Sequence, residues 1–317
     1  MQIARARMMK SNGTPLVSVV LCTYNGELYL QELLDSLSAQ STPVDRLVLR
    51  DDGSRDNTVD LVRHWAVRQG IQLDELRGAE MRLGPARSFL TALVRSAPAD
   101  VHLLADQDDV WLPTKVERAV AALLNEDQPR LPVLYASRLQ IVDETLNPLG
   151  LSPCPAKLSF PSAACESLLT GCTMALNEEL RLLASRGVPD CVAMHDWWLY
   201  MLASATGRVL FDVHPTVMYR QHGANVIGVE TTGWRKLHAR IRRFAFGRPG
   251  VRRRQLLEFR TLYADVLSPP ARALVEALVP NNTGVWSRIQ TAWQAPIVRQ
   301  AWHDRLATRL AILTNRF

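Results

Sequence analysis

The chain has no apolar run approaching the ~18 to 20 residues a helix needs to cross a bilayer, so a membrane-spanning protein is not expected. Its first residues carry Arg5, Arg7 and Lys10 and no apolar core of a secretory signal, which makes a cytoplasmic protein the expectation. Cysteine is scarce. Cys22, Cys154, Cys165, Cys172 and Cys191 are odd in number and form no C-x-x-C pair, which argues against a disulfide framework and against a zinc cage. There is no internal repeat of solenoid length. The loop Thr23-Tyr24-Asn25-Gly26 lacks the Gly-rich, Arg- and Lys-bearing form of a triphosphate loop, which disfavours a nucleotidyltransferase. What is present is an ordinary globular composition over 317 residues, 47% hydrophobic and 21% charged, enough for one large α/β domain with appendages.

The net charge of +6 is unevenly placed. Between Gly228 and Arg260 ten Arg or Lys stand against two Glu, a local net of +8, so the remainder is mildly acidic. Within this region Trp234, Leu237, Ile241 and Phe244 share one helical face, while Arg235, Lys236, Arg240, Arg242 and Arg243 share the other. Such a helix, over 234–254, suits an anionic membrane surface; packing on the body through its apolar stripe is the alternative. No base-reading motif accompanies the charge, so nucleic acid is not an expected partner. A second amphipathic stretch, Trp286 to Leu313, is expected to pack beside the first or to mediate self-association as a homo-oligomer.

Strand and helix signals alternate along the first third. Val17 to Cys22 reads as a strand, followed by Leu30, Leu33, Leu34 and Leu37 at helical spacing. Leu47 to Leu49 is a second strand ending in Asp51-Asp52-Gly53-Ser54, with Ser54 or Asp56 able to cap the next helix. Gln72 to Leu76, a helix from Gly84-Pro85 through Val94, and the strand Val101 to Ala105 follow. This alternation predicts a mostly parallel, doubly wound sheet whose ligands bind beyond the carboxyl ends of the strands. Later strands are expected at 132–137, 139–142, 168–176, 209–213 and 216–219, with Asn177 capping one helix and His195 starting another.

The stretch from Leu103 to Trp111 draws most attention. A buried strand ends in Asp106, Asp108 and Asp109, three carboxylates within four positions. Their mutual repulsion is usually relieved by a hard divalent cation with phosphate oxygens, which points to a Mg²⁺- or Mn²⁺-diphosphate site. An acidic strand-to-helix loop, with Asp109 capping the helix that contains Lys115, Val116, Ala119, Val120 and Leu123, is the plainer alternative.

Six ordered segments resemble the family 2 glycosyltransferases: 18–26, 51–58, 105–111, Gly171-Cys172-Thr173-Met174, His195-Asp196-Trp197-Trp198 and Tyr219-Arg220-Gln221-His222-Gly223. They span about two thirds of the chain and look most like the rhamnosyltransferase branch that builds bacterial surface polysaccharides, O-antigen among them. The resemblance implies an α/β GT-A (Rossmann-like) fold with a mostly parallel central sheet and a helical C-terminal extension. It divides the chain into a leader at 1–15, a catalytic domain at 16–227 (donor half 16–112, acceptor half 113–227) and a basic helical extension at 228–317.

By the same resemblance, Thr23, Tyr24 and Asn25 line the donor pocket, Asp52 meets the pyrimidine edge and Asp106 meets the ribose. Asp108, with Asp106 and His222, would hold the Mg²⁺ or Mn²⁺ on the diphosphate, and Arg220 would add positive charge. Asp196 matches the general base of an inverting transfer, and Trp111, His195, Trp197 and Trp198 would touch sugar or acceptor. The implied donor is a nucleotide-diphosphate sugar, dTDP-rhamnose first and a UDP-sugar next. The implied acceptor is a glycan or lipid-linked hydroxyl at the inner face of the cytoplasmic membrane. One departure from the family is Arg82-Leu83-Gly84 with Ser88-Phe89, where an Asn-x-Gly and Asn-Phe pattern is usual; this leaves the parts of Arg82 and Arg87 open.

Overall fold

The apolar runs of the first third become β1 (Val17–Thr23), β2 (Arg46–Asp51), β3 (Gln72–Glu75) and β4 (Val101–Asp106). They lie parallel in the order β3-β2-β1-β4, joined by α1 (Glu27–Ser38), α2 (Thr58–Gln69) and α3 (Gly84–Arg95). Alternate side chains of each strand enter opposite cores, as the pleat requires. Val17, Val19 and Leu21 face Leu30, Leu33 and Leu34 of α1 and Trp65 of α2, whereas Val20 faces Phe89 and Leu93 of α3. This computed structural model describes residues 13–76, 82–124, 131–222, 250–280 and 284–317.

The second part of the sheet is mixed. After β4 come β5 (Val110–Trp111), α4 (Lys115–Leu124), β6 (Val133–Val142), β7 (Pro148–Leu151), the short α5 (Phe160–Ala163), a 3-10 turn at Gly171–Thr173, β8 (Ala175–Asn177), α6 (Glu178–Ala184), α7 (His195–Thr206) and β9 (Arg208–Arg220). Among the described residues the full order is β3-β2-β1-β4-β8-β6-β9-β5, with β7 on β6. β8 runs antiparallel to both β4 and β6, while the long β6 and β9 are parallel to each other, so most paired positions in the sheet remain parallel.

Three expectations about elements change. The strand expected over 168–176 is mostly loop and 3-10 turn, and only Ala175–Asn177 pairs. The strands expected at 132–137 and 139–142 are one strand, as are those at 209–213 and 216–219; an irregularity at Arg138 lets the ladder continue past Pro215. Asp109 caps no helix, since β5 intervenes before α4 and the Asp109 carboxylate is buried. Asn177 does cap α6, accepting from the Leu180 N–H at 3.1 Å.

Beyond β9 the described helices are α8 (Val251–Tyr263), α9 (Pro269–Leu278), α10 (Val285–Gln294) and α11 (Trp302–Leu313). Phe259 and Tyr263 of α8 meet Trp198 of α7 with ring centroids 5.5 and 5.9 Å apart, so α8 completes the core on the α3 side. Most of the segment expected to lie on a membrane, 234–249, is outside the described residues. Its last residues start α8: Arg252 sits over the Trp197 ring and Arg253 donates to the Pro280 carbonyl, both on the body of the protein. Among the described residues no helix is long and apolar enough to cross a membrane.

Candidate active site

The carboxyl ends of β1, β2 and β4 open onto one cleft of about 1120 Å³, closed on the far side by the loop before the 3-10 turn and by the start of α7. On the strand side the loops are bound to one another. Thr23 Oγ1 donates to Asp51, which also accepts from the Gly53 and Ser54 N–H groups at 2.9 and 2.7 Å; Gly53 takes φ 91°, the left-handed turn that glycine adopts without strain. Asn25, itself at φ 47°, accepts from the Arg55 N–H while its own N–H donates to Ser54 Oγ. Gln107 spans the loops after β1 and β4, accepting from the Tyr24 N–H at 2.9 Å and donating to the Tyr24 carbonyl at 3.1 Å. A Cβ at Gly26 would collide with the Gln107 amide, which is why the Thr-Tyr-Asn-Gly loop ends in glycine.

Asp52 is held just as firmly. Arg50 and Ser88 donate to its Oδ1, and the Leu83 and Gly84 N–H groups reach it at 3.1 and 2.7 Å. Burial alone would raise this carboxyl, but Arg50 and the two backbone donors outweigh it and hold Asp52 below its ordinary range. Asp52 therefore fastens the start of α3 to β2 at the cleft wall. Arg82 and Arg87 also gain positions: the Arg82 guanidinium covers the Tyr24 ring at 3.7 Å inside the cleft, whereas Arg87 pairs with Asp190.

The acidic loop divides into two groups. Asp106 and Asp108 line the cleft, and Asp108 Oδ2 meets His222 Nε2 at 2.9 Å. Burial first, then the charges of Asp108 and Asp196, push the Asp106 carboxyl up to about 7. The structure also brings Cys172, which the sequence reading left out of a metal site, beside Asp109 of the acidic loop. Asp109 and the thiol of Cys172 lie with Asp106 so that their ligand atoms fall within 4.8 Å of one another. Burial raises the Cys172 thiol well above its ordinary value, so it stays protonated and donates to Asp109. Fully buried Lys115 donates to the Cys172 carbonyl at 2.6 Å and stacks over Trp111, with burial lowering its ammonium to about 8. Burial first, then the charges of Asp106 and Asp108, also push the Asp109 carboxyl well above its ordinary range, so this inner group is a buried anchor for the loop. The outer residues, Asp106, Asp108 and His222, all line the cleft, and of these Asp108 and His222 are in direct contact; carboxylate oxygens are the kind of donor that suits Mn²⁺ or Mg²⁺.

Across the cleft, Asp196 sits in the first turn of α7 with its side chain buried. Its Oδ1 accepts from the Trp197 N–H at 2.5 Å, and burial raises it to about 6 despite backbone donors from Trp197 and Gly171. His195 beside it is fully buried and stacks on Phe89 at 4.1 Å, with both ring nitrogens lacking a hydrogen-bond partner; burial lowers it to about 3. A Cβ on Gly171 would strike the His195 ring, which accounts for the glycine of the Gly171-Cys172-Thr173-Met174 segment.

Four expected contacts are not brought into the cleft. Trp111 and Trp198 are buried in the two cores, and Trp197 Nε1 donates to the Ala163 carbonyl inside the α7 side. Arg220 is also buried. Its guanidinium binds Glu32, the Glu144 carbonyl and the Asp108 carbonyl, while its N–H reaches Asp109 at 3.2 Å. It pins the acidic loop to β9 and lies outside the cleft lining, because each of its three guanidinium nitrogens is turned inward onto a partner. Thr23, Tyr24, Asn25, Asp52, Asp106, Asp108, His195, Asp196 and His222 do line the cleft. Sequence reading missed Gln107 as the strap between loops and Lys115 as the buried counter-charge; an Asp-Gln-Asp run and a lysine at the head of an apolar helix carry no such signal alone.

A mostly parallel sheet with a carboxylate cleft at its strand ends has the form of the GT-A fold. The comparisons agree. Residues 18–137 match the family description "Glycosyl transferase family 2", and this match together with the relatives below supports a glycosyltransferase enzyme. It is 24% identical over 259 residues to the dTDP-rhamnosyl transferase RfbG of Shigella flexneri, covering 77% of this chain and 85% of that one. In fold it is similar to S. aureus TarS 1-349 at TM-score 0.59 and 16% identity, covering 95% and 89% of the two chains. It is also similar to the mannosyltransferase PcManGT of Pyrobaculum calidifontis, solved with GDP-Man and Mn²⁺, at TM-score 0.52 and 20% identity over 94% of this chain and 74% of that one.

Proposed function

We propose that this glycosyltransferase is inverting and metal-dependent, and that it moves a sugar, rhamnose first among candidates, from a dTDP-linked donor to a hydroxyl of a glycan or lipid-linked acceptor in surface polysaccharide assembly. The observation that carries this reading is Asp196, a buried carboxylate raised to about 6, facing the Asp106, Asp108 and His222 group across one cleft. Likeness to RfbG supports the rhamnosyl choice.

The strand-side loops would hold the nucleotide, with Tyr24 and its Arg82 cover beside the base. A divalent cation on Asp106, Asp108 and His222 would act as a Lewis acid for the departing diphosphate. Asp196 takes the proton of the acceptor hydroxyl as the new bond to the anomeric carbon forms and the bond to the diphosphate oxygen breaks. Attack from the face opposite the leaving group inverts the anomeric carbon, and no covalent sugar intermediate is needed.

The test is a thermal-shift screen of the protein against nucleotide diphosphates and nucleotide sugars, with and without Mn²⁺, followed by transfer assays with the stabilising donor. A ligand that binds only the folded state raises its melting temperature according to its concentration relative to Kd. Mn²⁺-dependent stabilisation by dTDP, extended by dTDP-rhamnose, is the expected result. Stabilisation only by UDP- or GDP-sugars would move the donor choice, and none by any nucleotide would overturn the donor site.

A further inference from the structure

The C-terminal helical pair is inverted in its amphipathic sense. Helices normally bury their large apolar residues and expose the small and polar ones. Here α10 and α11 bury Thr291, Ala292, Thr308, Ala311 and Ile312. The large apolar side chains point the other way: Trp286, Trp293 and Trp302 are 83, 76 and 71% exposed, and Leu306 and Leu310 are 52 and 54% exposed. Trp302, Leu306 and Leu310 recur at i, i+4 and i+8, one continuous stripe of α11, and Trp286 and Trp293 repeat at i+7 on α10. Arg309 donates to the Ala292 and Trp293 carbonyls and so holds the end of α10 against the middle of α11, keeping the two exposed stripes on one helical pair. Three indoles of roughly 150–250 Å² each already exceed scattered surface apolarity and reach the size of an interaction patch.

Charge identifies the occupant. Residues 284–317 contain Arg288, Arg299, Arg305, Arg309 and Arg316 against Asp304; Arg299 is paired with Glu166 at 3.2 Å, which leaves four minus one, a net of +3. A second copy on a two-fold axis would set this basic patch against itself. A surface of tryptophan and leucine edged by arginine matches instead the boundary of an anionic bilayer, where indoles sit at headgroup depth and arginines meet lipid phosphates. We infer that the α10–α11 pair is a monotopic anchor that docks the enzyme on an anionic lipid surface through Trp286, Trp293, Trp302 and the Leu306–Leu310 stripe. This surface lies on residues 284–317, apart in sequence from the basic 234–254 segment, and does not depend on which sugar is transferred.

The test is co-sedimentation of the full chain with vesicles of equal parts phosphatidylglycerol and phosphatidylcholine, compared with phosphatidylcholine alone. The chain is expected to bind the anionic vesicles and to leave them as salt rises. The variant Trp286→Ser/Trp293→Ser/Trp302→Ser is expected to lose about tenfold or more in vesicle partition at unchanged melting temperature, with Arg305→Glu causing a smaller loss. A triple variant that binds as well as the unmodified chain would overturn the inference and assign attachment elsewhere. So would absent vesicle binding combined with a dimer that dissociates in the triple variant. As a check that needs no substitution, lipids brominated on the acyl chain should quench tryptophan emission of the unmodified protein; unquenched emission with bound protein would equally overturn it.

Discussion

The two walls of the cleft are built on opposite principles. On the strand wall, Asp51, Asp52, Asn25 and Gln107 are each bonded into a neighbouring loop, and Asp52 is held below its ordinary range. On the α7 wall, Asp196 is raised by burial and His195 has no partner for either ring nitrogen. The first wall is a preformed cradle in which hydrogen bonds fix shape before any ligand arrives. The second keeps poorly solvated groups whose bonding is incomplete, which is where a proton-transferring residue is expected. Shape is thus fixed mainly by the strand-end loops, while raised carboxyls meet across the cleft at Asp106 and Asp196.

Substitutions can separate the two. Asp108→Ala removes an oxygen donor and the partner of His222; it is expected to abolish turnover together with Mn²⁺-dependent donor stabilisation, read by transfer assay and thermal shift. Arg50→Ala leaves Asp52 buried without its ion pair, and a loss of about 3–5 kcal/mol in chemical denaturation is expected, since removing one partner strands the other charge. A cost near zero would mean that the cradle does not depend on the Arg50–Asp52 pair.

The pH profile sharpens the comparison from the other wall. Asp196 must be ionised to accept a proton, so turnover is expected to fall about tenfold per unit as pH drops below about 6. The same raised value works against folding. A carboxyl whose folded pKa lies above its unfolded 3.8 stabilises the fold when protonated, and that contribution is lost as pH rises toward about 6. At pH 8, Asp196→Asn is therefore expected to melt above the unmodified protein. Smallest is Gln107→Ala, which unties the β1 and β4 loops. It is expected to cost about 1 kcal/mol of stability and to raise the KM for donor with little change in kcat.

The parallel half was legible because its strands are short apolar runs ending in polar turns, and the resemblance extended through those turns. The α7 half was less so. From Trp197 to Ala203 every residue of α7 is buried, so helical periodicity gave no sign that both tryptophans turn away from the cleft, and both were expected there although Trp197 bonds the Ala163 carbonyl and Trp198 lies under Phe259. Arg220 misled for a different reason: a cation beside an acidic loop suits phosphate and suits an internal clamp equally, and only its bonds to Glu32 and to the Glu144 and Asp108 carbonyls distinguish the two. The outward face of α10 and α11 was hidden by ordinary amphipathic spacing, which does not say which face turns in.

The most direct test of the two-wall account measures donor binding and sugar transfer on the same sample of Asp196→Asn. The account predicts donor and Mn²⁺ binding equal to the unmodified protein with transfer reduced by about 10²–10⁴-fold. Transfer at the normal rate, or loss of donor binding in parallel with transfer, would contradict it.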